Sequence, residues 1–238
     1  MAARRGDSPL RYRDFVLFLL ELAATAVALE MAFVAVGWQV YEVRGNPLDL
    51  GLVGLAMFLP LPLLALPAGH LADRFPRRTV LAVAIVLDCA MALGLLLVSR
   101  SGADQTWPFF ALAFGTGVAS ALGAPANRAL TPSLVPREVL VRAFAQRSVA
   151  FQASVIGGPA LGGLLFTVAP ELVYGVSAGL SAMAFLAVLA LRAGRDGAGA
   201  GSPGREGILE GVRLVRRTPV LLGAISLDLF AVLLGGAV

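Results

Sequence analysis

The sequence predicts an all-α polytopic membrane protein, and three observations carry that prediction. Of its 238 residues, 58% are hydrophobic and 14% are charged, whereas soluble domains are about 45–50% apolar and about 25% charged. Long apolar runs recur along the chain, and the cations are concentrated between alternate runs. The mean hydropathy is +0.83. Composition therefore argues against a water-soluble globule.

Seven apolar runs are long enough to cross a membrane, because about 20 such residues span a hydrocarbon core of ~30 Å. The predicted spans one to seven cover residues 15–41, 48–71, 79–99, 107–126, 148–168, 171–191 and 219–238. The first run is longer than the apolar part of a secretory signal, and no small-residue cleavage site follows it. We expect it to be a retained span.

The cations indicate how the spans are oriented. All 19 are arginines. If the N-terminus is cytoplasmic, 17 of them lie in cytoplasmic segments, at residues 1–14, 72–78, 127–147 and 192–217. Only Arg44 and Arg100 lie on the other side, and this asymmetry predicts an N-terminus inside. Cations spread over short loops without interleaved aromatic residues do not indicate a nucleic-acid partner.

The spans are arranged as a group of six, a linker and a seventh. Residues 193–207 are rich in glycine and polar residues, which is typical of a flexible linker. We predict a transmembrane domain over 1–192, a cytoplasmic linker over 193–217, and at 218–238 the first helix of a truncated second domain. Spans one to three and four to six each occupy 85 residues, as a 3+3 inverted repeat would.

A short repeat relates the first span to the seventh. Glu30 is followed seven residues later by Gly37, and Asp228 is followed at the same distance by Gly235. A second six-helix half that begins at span seven would produce such a repeat. We therefore expect the chain to be roughly the first half of a twelve-helix protein.

The chain is poor in side chains that perform catalysis or bind metals. Its one cysteine, Cys89, and one histidine, His70, allow no internal disulfide, cysteine cluster or histidine-pair site. No nucleophile, base and metal-ligand set converges at one depth of the predicted spans. We therefore expect neither an enzyme nor a bound cofactor or metal.

The loop after the second span, residues 69–81, carries the most specific motif. It resembles the signature loop of major facilitator superfamily transporters, with matches at Gly69, Asp73, Arg74, Arg77 and Arg78. Pro76 stands where that superfamily usually has glycine. The resemblance implies a latch that holds the two halves together in the outward-open state, through a helix of the second half. The alternative is that the arginines are only topology signals.

The fifth span carries a second motif of that superfamily. Its residues Ser154, Gly158, Pro159, Gly162 and Gly163 resemble the antiporter motif, with Ser154 in place of the first glycine. Small residues four apart let two helices pack closely in lipid, and the proline frees a carbonyl and bends the helix. The resemblance implies exchange of protons for substrate. Ordinary close packing is the alternative.

Shorter matches, at residues 38–41, 50–55, 124–126 and 131–136, resemble the bacterial enterobactin-exporter and macrolide-efflux branch. The resemblance implies the six-helix N-terminal bundle of a major-facilitator fold in a bacterial cytoplasmic membrane, monomeric when complete. It also implies proton-coupled efflux, by alternating access, of a small, partly hydrophobic compound that is drug- or siderophore-like. Protons, substrate and the lipid bilayer would be the partners. An importer, or a receptor or scaffold that does not transport, remains an alternative.

Acids inside the spans are the candidates for proton coupling. An acid at mid-bilayer costs about 2.5–3.5 kcal/mol, so it usually faces a cavity or a partner. Glu30 and Asp228 lie mid-span, and the resemblance implies that both spans line the central cavity. Asp88 lies in a span that is usually peripheral, where a packing hydrogen bond is the leading expectation. Glu21 lies nearer the cytoplasmic edge, where we expect hydration. Residues 109–124 contain no cation, so a span-four arginine is not expected in coupling.

Overall fold

The computed structural model describes residues 8–102 and 105–192, and within them the regular structure is entirely helical. The helices are α1 (Arg13–Arg44), α2 (Pro47–Phe58), α3 (Pro60–Arg74), α4 (Arg77–Arg100), α5 (Trp107–Leu134), α6 (Leu140–Phe166) and α7 (Pro170–Ala190). They provide six segments long and apolar enough to cross a membrane, with α2 and α3 forming one of them. This confirms an all-α polytopic fold. The predicted seventh span and linker lie outside the described residues.

The end of α1 shows how local chemistry separates two spans. Gly45 takes a left-handed conformation, with φ of 65°, and caps the last turn of α1. Asn46 then accepts a hydrogen bond from the amide of Leu48 at 3.1 Å, and Pro47 occupies the first turn of α2. Glycine after a helix and proline at the start of the next are the usual signals for such a break.

The second span, predicted as one helix over 48–71, is interrupted at Leu59. Pro60 begins α3 and lacks the amide proton that would continue the α2 hydrogen-bond ladder. The carbonyl of Met57, in the last turn of α2, lies where a side chain at Gly117 of α5 would be. The interruption therefore coincides with a close contact between the second and fourth spans.

Spans four and five are longer than predicted. Span four, predicted to end at 126, continues to Leu134, and span five, predicted to begin at 148, begins at Leu140. Hydropathy marks only the part of a helix that lies in hydrocarbon, whereas the backbone ladder continues through polar residues beyond it. The predicted loop 127–147 is consequently mostly helix, and Arg128 and Arg147 lie on helices.

The helices pack in a pattern that repeats between the first and last three spans. α1 packs mainly on α6 and α7, while α5 packs mainly on the α2–α3 pair and on α4. α4 also packs on α7. Exchanging spans one to three with spans four to six maps these contacts onto one another. This is the packing that a 3+3 repeat produces.

Two apolar clusters hold the bundle together. One, with Phe15, Phe18 and Leu130 at its centre, lies at the end where α1 begins and α3 ends, which we call the basic end. The other, with Met31, Phe109 and Tyr174, lies toward the opposite end. The second and fifth spans bury only 11% and 17% of their most apolar segments, against at least 39% for the other spans. Those two spans therefore leave the widest faces for lipid or for other protein.

Candidate functional site

A cavity of about 320 Å³ lies between α1, α4, α5 and α6. Its polar and charged lining residues are Glu21, Thr25, Asp88, Ser120, Asn127, Arg128 and Arg147, and leucine, isoleucine, alanine and phenylalanine side chains supply most of the remaining wall. Two carboxylates and two guanidinium groups thus face a mainly apolar chamber. Pockets that bind small molecules typically combine apolar walls with a few placed polar groups.

A chain of polar contacts crosses the cavity from α6 to α1. Arg147 of α6 donates from Nη2 to Oδ1 of Asn127 at 2.9 Å. Asn127 of α5 donates from Nδ2 to both carboxylate oxygens of Glu21, at 3.2 and 3.5 Å. These contacts link the three helices through one amide.

Glu21, which the sequence places near the hydrated edge, is only 1% exposed and lines the cavity rather than the outer surface. Its depth along the first span was judged from sequence, but α5 and α6 continue past the apolar runs and cover it. The same extension brings Arg128 of span four, which follows the cation-free residues 109–124, into the cavity wall. The sequence signal was Asn127 and Arg128, which directly follow the apolar run of span four.

Asp88 lies on α4 and is 8% exposed. Its Oδ2 accepts a hydrogen bond of 2.9 Å from Ser181 Oγ of α7. It also lines the cavity. The packing hydrogen bond and the cavity position, which the sequence leaves as alternatives, occur together in the structure.

Glu30 lies in the contact between α1 and α6 and does not line the cavity. A Cβ added at Gly158 would be 2.6 Å from Glu30 Cβ and 3.3 Å from the carbonyl oxygen of Val27. The Glu30 side chain is half-buried. Asp228, its predicted counterpart, lies outside the described residues.

The fifth-span motif forms a tight contact between helices, which we call the α1–α6 seam: Ser154, Gly158 and Gly162 against α1. Ser154 is buried and donates to the carbonyl of Ala23 at 3.4 Å and to that of Ala150 at 2.9 Å. A Cβ at Gly162 would be 2.9 Å from the Cα of Met31, closer than real Cβ contacts come. The small residues at four-residue spacing therefore let the two backbones approach.

The other two residues of this motif behave differently. A Cβ at Gly163 would meet nothing within 4 Å, so this glycine makes no close helix approach among the described residues. Pro159 lies inside α6, which continues through it from Leu140 to Phe166. Only part of the motif is thus used in the seam.

The latch loop divides into two groups. Asp73 and Arg74 are exposed at the basic end, where the described part of the chain offers neither a hydrogen bond nor an ion pair. A Cβ at Gly69 would likewise meet nothing within 4 Å, so this glycine makes no close helix approach within the described residues. Pro76 caps α4 with φ of −53°, so the turn needs no glycine-only conformation.

Arg77 and Arg78, by contrast, donate to backbone carbonyls of helices in their own half, and Arg78 does so at a helix end. Arg77 Nη1 donates to the carbonyl of Ala129 near the end of α5 at 3.0 Å. Arg78 Nε donates to the carbonyl of Val188 at 2.9 Å, and its Nη2 donates to that of Leu189, both in the last turn of α7. Cations at helix C-termini satisfy free carbonyls and interact favourably with the helix dipole.

Comparison with known proteins places this bundle in a family. The family described as transmembrane secretion effector matches residues 6–234. The chain is 31% identical to the multidrug efflux pump Tap of Mycolicibacterium fortuitum, over 92% of this chain and 56% of that protein.

Two further relatives match a shorter part of the chain. The macrolide efflux protein A of Streptococcus pyogenes is 28% identical, over 60% of this chain and 35% of its own length. The enterobactin exporter EntS of Shigella dysenteriae is 30% identical, over 60% and 34% respectively. The chain thus spans about half the length of Tap and about a third of the other two.

Proposed function

The chain belongs to the transmembrane secretion effector family of the major facilitator superfamily, and on this premise we propose that the complete protein exports small, partly hydrophobic compounds in exchange for protons. It is a multi-pass protein of a bacterial inner membrane. The described helices supply one six-helix half, and alternating access would move that half against a second one. The candidate cargoes are drug- or siderophore-like, in line with the names of the relatives.

The α1–α6 seam is the observation that carries the proposal. It unites the antiporter-like residues of α6 with the helix that holds Glu30, and a Cβ at Gly158 would collide with that acid. The base of the Glu30 side chain is therefore in close contact with α6. Among the described residues no donor hydrogen-bonds its carboxylate, which leaves it available to protons or to the rest of the protein.

The other predicted site residues are two further acids of the spans and two residues of the latch loop. Asp88 faces the cavity, and we propose Asp228 as the matching acid of the seventh span. Asp73 and Arg74 of the latch loop are exposed at the basic end, and we propose that they contact the second half. The N-terminus and the linker would be cytoplasmic, as the arginine distribution predicts.

Glu30→Gln in the complete protein tests the coupling. The variant keeps the shape and hydrogen-bonding capacity of the side chain and removes its titration. In proteoliposomes, transport of a macrolide antibiotic or an iron-chelating siderophore driven by a pH gradient should collapse, whereas counterflow exchange of the same compound should persist.

Glu42→Gln is the matched control on the same helix. Glu42 is exposed and accepts a hydrogen bond from Trp38 Nε1 at 3.0 Å, far along α1 from the seam. Its variant should keep gradient-driven transport. Unchanged transport in Glu30→Gln would exclude Glu30 from coupling, and transport that needs no gradient in the unaltered protein would exclude antiport itself.

A further inference from the structure

The buried carboxylate of Glu21 is a group that the proposed export mechanism does not use. The Asn127 amide donates to both of its oxygens, at 3.2 and 3.5 Å, and the Thr25 hydroxyl one helical turn further along α1 also interacts with it. Arg147 forms no ion pair with it and binds the amide instead. A buried carboxylate whose contacts are a long, shared amide hydrogen bond and one hydroxyl, with no ion pair, is poorly compensated while it is charged.

The orientation of Asn127 follows from its neighbours. An arginine can only donate hydrogen bonds, so the amide oxygen must face Arg147 and the amide nitrogen must face Glu21. The amide therefore lies between the guanidinium group and the carboxylate. The Asn127 amide thus bonds to both the guanidinium group and the carboxylate, which have no direct contact with each other.

Arg147 retains unused hydrogen-bonding capacity on the cavity side. Its Nε is buried with no hydrogen-bond partner among the described residues. An arginine nitrogen left without a partner costs free energy, which is recovered if the guanidinium turns toward a charged carboxylate. Glu21 is the nearest such carboxylate in the contact chain.

The other charged groups at the cavity are Arg128 on α5 and Asp88 on α4. Asp88 accepts its hydrogen bond from Ser181 of α7, away from Glu21. α2, α3 and α7 contribute no residue to the cavity wall. Among the described residues, Glu21 therefore shares the cavity with one bridging amide, the hydroxyls of Thr25 and Ser120, two guanidinium groups and one other acid.

We propose that Glu21, Asn127 and Arg147 form a proton-binding site that is separate from Glu30 and that switches the contact between α1 and α6. In this proposal, protonated Glu21 keeps its contact with Asn127 and stays apart from Arg147. Loss of the proton to cavity water leaves a carboxylate that draws Arg147 into a direct ion pair and displaces the amide. The cavity, at about 320 Å³, exceeds the roughly 15 Å³ that one water needs, so water can deliver and remove the proton.

The test is a pH titration of this 238-residue chain in lipid nanodiscs, followed by the infrared carbonyl band of protonated carboxylic acids. Glu21→Gln should remove one component of that band that changes with pH. Glu30→Gln, the same substitution on the same helix, should leave that component in place. The Glu21 site rests on the proposed proton coupling. Because the infrared measurement needs no transport, the site and the export activity can each be refuted without the other.

Arg147→Gln keeps the carboxylate and serves as the second variant, including in the case that Glu21→Gln does not fold. Removal of a nearby cation should move the pH midpoint of the Glu21 component upward by about 1–3 pH units. If Glu21→Gln removes no titrating component, or if Arg147→Gln leaves the midpoint unchanged, the proposal is wrong. In that case Glu21 is a fixed structural partner of Asn127.

Discussion

Replacement of Gly162 by alanine tests the α1–α6 seam most directly. The added methyl group would lie 2.9 Å from the Cα of Met31 and 3.0 Å from its carbonyl oxygen. Both neighbours are backbone atoms, so they cannot turn away as a side chain would. The two helices must separate by several tenths of an ångström, and we expect α1 and α6 to lose close contacts along the seam.

Gly163→Ala is the matched control, because it adds the same methyl group one residue further along the same helix, where nothing lies within 4 Å. Both substitutions gain helix propensity of up to about 1 kcal/mol, and this gain cancels in the comparison. Overpacking costs about 1–3 kcal/mol and applies to Gly162 alone. The free energy of unfolding of Gly162→Ala should therefore be lower than that of Gly163→Ala by about 1–3 kcal/mol.

The measurement is reversible unfolding of this chain in mixed micelles, by titration with a denaturing detergent and detection by circular dichroism. Each variant is compared at the same lipid-to-detergent ratio, because micelle composition changes the reference state. Equal unfolding free energies for the two variants, or a more stable Gly162→Ala, would refute the conclusion that backbone contact shapes this seam.

Three further predictions concern topology, the basic end and the need for two halves. A cysteine introduced at Ser202, with Cys89 replaced by alanine, should resist a membrane-impermeant thiol reagent in intact cells; rapid labelling would reverse the proposed orientation. Arg78→Gln should lower the unfolding free energy by about 1–3 kcal/mol, because two hydrogen bonds to the end of α7 are lost. Arg74→Gln should leave the unfolding free energy unchanged. Equal effects of the two variants would contradict the conclusion that Arg78 is structural and Arg74 is not. The 238 residues reconstituted alone should show no saturable, gradient-driven efflux, since substrate sites in this fold lie between two halves. Such efflux from a monomeric preparation would contradict the need for a second half.

Much of the fold follows from the sequence because backbone polar groups inside the lipid hydrocarbon must all be hydrogen-bonded. Every backbone polar group in hydrocarbon must be bonded within its own segment, so a long apolar run has to be a helix. The six spans of the described residues are confirmed for this reason. The latch loop and the fifth-span motif likewise indicated the correct superfamily, because both are fixed spacings within one continuous segment.

The boundaries of α5 and α6 do not follow from the same reasoning. Hydropathy ends where a helix leaves hydrocarbon, and the backbone ladder does not end there. Because the predicted helices were too short, Arg128 and Arg147 were assigned to a loop rather than to helices that line the cavity. The burial of Glu21 was missed as a consequence.

The class of protein, the number of spans in the described region and the positions of small residues and arginines can be read from the amino-acid sequence. Those properties depend on periodicity and on short local motifs. The partner of each such residue is known only from the packed helices: Gly162 meets the backbone of Met31, Gly163 meets nothing within 4 Å, and Arg78 binds the end of α7. Pairings such as Glu21 with Asn127 join residues 106 positions apart, and the helix rotations that bring them together are set by packing against all neighbouring helices at once.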